Sequence, residues 1–205
     1  MGKVFIGISL GFFLCSCATS YKQIQPSTLT YSGSSSEGGV TLGYRYDVLR
    51  EKGNKKYAKR EPLRGIRVIA VKIANNSSTA LTIGQNCSLM SAVGPVSIVD
   101  PSVVHVQLKQ GVPIYLLYLL MTPLQFNVTR SSGNSVETSS TPIGFVLGPA
   151  LAIGNMAAAG GANQNFLREL EKYNLANKTI NPGETVYGLI GIRDIGVNPL
   201  RLQIN

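Results

Sequence analysis

Ile66-Arg-Val-Ile-Ala-Val-Lys-Ile-Ala74 carries apolar residues on both parities, with Ile66, Val68 and Ala70 on one and Ile69, Val71 and Ile73 on the other. A strand with one wet face would alternate apolar with polar, so this run predicts a strand covered on both faces, at the centre of a sheet. Upstream, Val40, Leu42, Tyr44, Tyr46 and Val48 alternate with Thr41, Gly43, Arg45, Asp47 and Leu49, which is the period of a half-buried strand. Downstream, Asn75-Asn76-Ser77-Ser78-Thr79 supplies turn chemistry before a returning strand Ala80–Ile83, and Ser88–Val99 predicts a hairpin around Gly94-Pro95. A second turn, Asn181-Pro182-Gly183-Glu184, precedes a strand over Thr185–Ile192, and Leu200, Leu202 and Ile204 alternate at the end.

The segment between these strand regions reads differently. Residues 101–177 form an apolar and mostly helical insert. Asp100-Pro101 predicts the start of a short helix reaching Gln110. Val112–Pro123 is apolar all round and too short to cross a bilayer, which predicts a buried helix. Ser131–Thr141 reads as a polar loop. Ile143–Ala162 has no charged residue, and Gly144 and Gly148 stand at GxxxG spacing; Pro149 and Gly160-Gly161 weaken a continuous helix there. The simplest arrangement is a helical hairpin, followed by an amphipathic helix over Asn163–Leu175. An exposed apolar face meeting lipid or a membrane protein is the functional alternative, with Tyr115, Tyr118, Phe145 and Leu147 as the contact residues.

Formal charge is +9, concentrated in one patch: ten basic residues against three acids lie between Arg45 and Lys72. The densest stretch, Leu49 to Arg64, holds breakers at Gly53-Asn54 and Pro62 and predicts a long loop. It is either a solvated loop or an anion-binding surface built from Lys52, Lys55, Lys56, Lys59, Arg60 and Arg64, suited to anionic lipid or cell-wall polymer. Nucleic acid is disfavoured, because the patch lacks aromatic residues interleaved for base stacking.

The first residues assign an address. Lys3 is followed by an uncharged apolar run, Val4–Leu14, of about 16 Å as a helix, which fits a signal sequence and not a span. Leu14-Cys15-Ser16-Cys17 resembles the lipobox of bacterial lipoproteins. The resemblance implies cleavage after Ser16 and acylation of Cys17, with Cys15 standing where a small residue is usual. Multiple acyl chains would make a stable anchor, since each buried CH₂ contributes about 0.8 kcal/mol. Residues 17–38 hold many Ser, Thr and Gly and predict a flexible tether reaching on the order of 25 Å. After processing only Cys87 keeps a free thiol, so no internal disulfide can form.

Val71–Gly84 and Ile180–Gly191, with the Asn-rich turn and the Pro-Gly-Glu strand entry, resemble paired strands of immunoglobulin-like β-sandwiches in secreted bacterial proteins. The mature chain as a whole resembles a group of uncharacterised outer-membrane lipoproteins of Bacteroidetes type. That resemblance implies a mainly β, immunoglobulin-like sandwich over residues 39–205 carrying the helical insert, α+β overall. No acidic cluster follows Cys17, which within that group implies a domain facing the periplasm.

Residues for catalysis are sparse. His105 is the single histidine, so two-imidazole metal sites and His-based triads lack material, and no GxSxG, GxGxxG or Walker motif occurs. Glu169 and Glu171 read as a solvated helix face. The expectation is a non-enzymatic protein without cofactor or metal, anchored to a membrane through its N-terminal lipid and meeting an envelope protein; an unrecognised hydrolase is the remaining alternative. Nothing in the sequence fixes the oligomeric state.

Overall fold

The computed structural model describes residues 17–133, 135–193 and 196–204; the expected signal sequence, residues 1–16, lies outside the described residues. In chain order the strands are β1 (Gly33–Glu37), β2 (Val40–Arg45), β3 (Arg67–Asn75), β4 (Leu81–Thr82), β5 (Cys87–Ser91), β6 (Gly94–Val96), β7 (Ile98–Val99), β8 (Phe126–Ser132), β9 (Ser135–Thr141), β10 (Thr179–Ile180), β11 (Thr185–Ile192) and β12 (Leu200–Ile204). The α-helices are α1 (Val48–Glu51), α2 (Lys55–Ala58), α3 (Glu61–Arg64), α4 (Pro101–Leu108) and α5 (Gly144–Lys172), with 3₁₀ helices at Pro26–Thr28 and Val112–Met121. Helix accounts for about 34% and strand for about 33%, so the fold is mixed α+β and not mainly β. Two compact units divide the chain, and each is described by itself.

The larger unit contains Tyr21–Lys109 and Asn163–Asn205. Its main sheet is antiparallel in the order β1-β2-β3-β11-β7, with β3 at the centre, as its two-parity pattern predicts. One face of β3 presents Ile69, Val71 and Ile73 to a core completed by Cys87, Leu89, Leu200 and Leu202 of the second sheet, β12-β5-β6. Val68 and Ala70 are equally buried on the other parity. The adjoining strand β11 shows how a helix covers that side, because Gly191 lets the Val104 side chain of α4 approach its backbone. Gly188 likewise admits Leu175, so these strand glycines are places of close approach.

Several local expectations hold. Asp100 caps α4, its carboxylate accepting from the Ser102 N–H at 2.8 Å and from the Ser102 hydroxyl, bonds that hold its carboxyl below the usual range. The Asn75 turn is closed by its own side chain, which donates to the carbonyls of Thr79 and Ile180. The hairpin near Gly94-Pro95 exists, but its turn is Ala92-Val93; Pro95 lies in β6 at the sheet edge, where its missing N–H is tolerated. The strand returning after the Asn-rich turn is short, and it pairs with β10 through Leu81↔Ile180.

Two expectations for this unit are corrected. Leu49–Arg64 is not a long loop: it winds into the single-turn helices α1, α2 and α3. Leu49 and Tyr57 are fully buried and pin the first two, while Gly53, between α1 and α2, and Gly65, at the end of α3, take the positive φ that glycine permits. Charge density masked these few apolar anchors. The tether is also partly folded chain. Tyr21 and Ile24 are buried, Gly33–Glu37 pairs with β2, and Tyr44 lies across Gly33.

The smaller unit contains Gln110–Ala162 and the described chain up to Ser20. The helix expected at Val112–Pro123 forms over Val112–Met121 as a 3₁₀ helix, but it is buried along one line only. Three residues per turn put Tyr115, Tyr118 and Met121 on one buried line and leave Ile114, Leu116, Leu117, Leu119 and Leu120 exposed. This helix lies antiparallel to the start of α5. Gly144 fits against the Met121 carbonyl, and a Cβ on Gly148 would stand 2.9 Å from the Tyr118 carbonyl oxygen. The GxxxG spacing therefore marks a backbone-to-backbone approach. Ala152 and Ala159 complete the small core with the two tyrosines.

The Ser131–Thr141 loop is replaced by a regular hairpin, β8–β9, with seven register pairs from Phe126↔Thr141 to Ser132↔Ser135. The β-branched Thr129, Thr138 and Thr141 supply strand propensity that reads only as polarity when no apolar alternation accompanies it. The helical hairpin and separate amphipathic helix are one continuous helix, α5. Pro149 falls in its second turn, and the Gly160-Gly161 pair meets open space, so its cost of about 1 kcal/mol per glycine is that of flexibility alone.

Candidate functional site

Gln110–Ala162 contains Arg130 and Glu137 as its only charged residues, and these are cross-strand partners in β8–β9. The 3₁₀ helix, Leu124 after it and the first three turns of α5 carry a run of exposed apolar side chains, called the belt below: Leu117, Leu120 (73% exposed), Leu124, Phe145 (71%), Val146, Leu147 and Ile153. Such a concentration exceeds what scattered surface leucines produce. Phe145 and Leu147 belong to this belt, whereas Tyr115 and Tyr118 are 2% and 4% exposed and face the unit's own core. The two tyrosines are thus corrected from contact residues to supports. Ile114, Leu116 and Leu120 stand in their place, a substitution that the three-residue period explains.

Cys17 is exposed within the same unit, its Sγ 3.9 Å from the Tyr118 hydroxyl. The chain after it is held along the unit. Ala18 N–H donates to Asn155 Oδ1, and Gln110 exchanges bonds with Thr19, donating to its carbonyl at 2.7 Å and accepting from its N–H at 3.3 Å.

In the larger unit, α1 and α2 place Arg50, Lys55 and Lys59 around Ala58 in an open groove of about 260 Å³. Lys55, Lys59 and Arg64 are exposed, and Lys52, Lys56 and Arg60 are half-buried. The acids nearby are engaged elsewhere. Glu51 pairs with Arg45 at 2.7 Å, Asp47 lies 3.6 Å from Arg67, and Glu61 is buried and accepts from the Val68 N–H. Burial pushes the Glu61 carboxyl up to about 7, against the opposing pull of that N–H and of Arg67. The groove itself is lined by three cations, Arg50, Lys55 and Lys59, and by no acid. Arg50, left out of the sequence-based set, lines the groove, and Lys22 stands beside Gly53, brought there by the bonds between its backbone and the Asn54 side chain.

Glu169 is not part of a solvated helix face. It is 6% exposed and accepts from the Tyr21 hydroxyl at 2.6 Å and from the backbone N–H groups of Ile24 and Gln25, both at 2.9 Å. Its role is to hold the chain between Tyr21 and Gln25. His105 packs near Phe166, and burial depresses its pKa. Among the described residues no cluster of three metal-ligating side chains occurs.

No protein-family model matches the chain, and no curated protein or solved structure matches it either. What the fold defines is a class, a mixed α+β protein of two units, one of them with an extensive exposed apolar surface.

Proposed function

We propose that the chain is a non-enzymatic, lipid-anchored envelope protein, attached to the bacterial outer membrane through acylated Cys17 and facing the periplasm. Its paired sheets act as an immunoglobulin-like scaffold, and its apolar insert contacts a membrane-associated partner. The observation that carries this reading is the belt containing Leu120, Phe145 and Val146, in a stretch, Gln110–Ala162, with a single pair of charges. The test is a photoreactive residue at Leu120 or Phe145 in intact cells, with mass spectrometry of the mature N-terminus. Adducts from both positions and an acylated Cys17 are expected. A free N-terminus, or a belt that captures nothing, would overturn the reading.

A second reading rests on the groove of Arg50, Lys55 and Lys59: an anion-binding module for anionic lipid or cell-wall polymer, recognised by charge. It is compatible with the first and separately testable.

A further inference from the structure

The hairpin β8–β9 forms a two-stranded sheet of its own, and its strands pair only with each other among the described residues. All seven residues of β9 are exposed, as are Phe126–Arg130 of β8. A two-stranded hairpin is marginal alone in water, and its two outer edges are rows of N–H and C=O groups ready to pair. Protein edges are ordinarily blunted by lysine, proline or a bulge. Neither strand contains lysine or proline, the register runs through seven pairs without interruption, and the charges present are one Arg and one Glu. Arg130 and Glu137 face each other, so the hairpin presents no net charge to a like hairpin.

The root of the hairpin is continuous with the apolar belt. Phe126 follows Leu124 closely, and Thr141 leads to Ile143 and Phe145, all exposed. A single cover for both features would bury the belt and pair the strand edges. Hydrocarbon cannot do this, because open edges are excluded from a bilayer core. A second copy of this chain can, since it brings both an apolar belt and unblocked edges.

Resting on the proposal that the insert meets a membrane-associated partner, we infer that this partner is another copy of the same chain, joined by edge pairing of β8–β9 and by packing of the belts below it. Anchoring by lipid would favour such pairing by concentrating copies in one plane.

Thr129→Cys and Thr138→Cys variants of the full chain, oxidised or bridged with a short bis-maleimide in intact membranes, test the inference. Both substitutions are on exposed strand positions and Cys87 is buried; Cys17 is exposed and is blocked only where it is acylated, so the parent chain treated in parallel must give no dimer for the crosslink to be assigned to the introduced thiols. A covalent homodimer is expected from one or both variants, alone or mixed. Adding Val128→Lys and Val136→Lys to restore edge charge should lower the dimer yield at least tenfold. A dimer yield unaffected by those lysines would indicate collision and overturn the inference. So would absence of a homodimer while a photoreactive residue at Phe145 labels lipid or a different protein, an outcome that leaves the proposed function standing. If Phe145 labels nothing and no homodimer forms, both fail together.

Discussion

The Tyr21 hydroxyl donates to Glu169 Oε2 at 2.6 Å inside the larger unit, joining residues 148 positions apart. The same carboxylate receives the N–H groups of Ile24 and Gln25, so one buried acid satisfies three donors of a segment without regular structure. Burial first, and the adjacent Glu169 charge second, hold the tyrosine in its protonated donor form at any ordinary pH. Glu169→Ala would orphan all three donors and should cost about 3 kcal/mol, since an unmade bond to a buried donor costs about 1–3. Tyr21→Phe removes one bond and should cost about 1 kcal/mol. Chemical denaturation of the two variants and their double mutant should yield a favourable coupling; additive losses would mean that the pair contributes nothing specific. Limited proteolysis between Lys22 and Thr30 should quicken in Glu169→Ala only.

The approach of Gly144 to the Met121 carbonyl makes a second prediction. A Cβ at this position overlaps backbone, which cannot rotate away, so Gly144→Ala should destabilise the smaller unit by about 1–3 kcal/mol. Gly154 lies in the same helix with open space where a Cβ would stand. Gly154→Ala should therefore stabilise by about 0.5–1 kcal/mol through helix propensity. Hydrogen exchange across Gly144–Ala162 separates the two effects, and equal behaviour of both variants would refute the assigned packing.

These residues also show what was legible in advance. Ile66–Ala74 announced its central place because covering both faces of a strand leaves an apolar signature on both parities. Asp100-Pro101 announced a helix because capping is a local interaction. Tyr115 and Tyr118 could not be assigned correctly, since whether a line of residues is buried depends on three residues per turn or 3.6, and an all-apolar run is silent about that. The burial of Glu169 was hidden for the opposite reason. Its partners are backbone amides far upstream, and no periodicity links an acid to an amide 145 residues away. Polar Ser and Thr concealed β8–β9, because pairing register, not sequence alternation, defines that hairpin.

The basic groove predicts a salt-dependent phenotype. Glu51 and Asp47 pair with Arg45 and Arg67, and no acid lines the groove of Arg50, Lys55 and Lys59 that would meet a solution anion. Binding to vesicles containing anionic lipid, measured by sedimentation on a chain lacking the acyl anchor, should fall by about tenfold in the Lys55→Gln, Lys59→Gln double variant. Raising ionic strength from about 0.05 to about 0.5 M should produce a similar loss by screening. Binding that ignores both changes would rule out the groove as an electrostatic site.

Glu61 supplies a pH-dependent contribution with a definite sign. Its carboxyl is raised from 4.5 to about 7 by burial. The folded state therefore holds the proton more tightly than the unfolded chain. The stability this contributes is fully present below about pH 4.5 and is lost as pH rises through about 7, where folding must bury the charge. Glutamine keeps a carbonyl to accept the Val68 N–H and has no charge to bury. Glu61→Gln should thus match the parent near pH 4.5 and exceed it at pH 8 by up to about 3 kcal/mol, because each tenfold gain in proton affinity on folding corresponds to about 1.4 kcal/mol. Melting temperatures of both proteins from about pH 4.5 to about pH 8.5 would show the curves diverging upward. Parallel curves would mean that Glu61 is ionised throughout, and that Arg67 and Arg50, the cations acting on it, outweigh its burial.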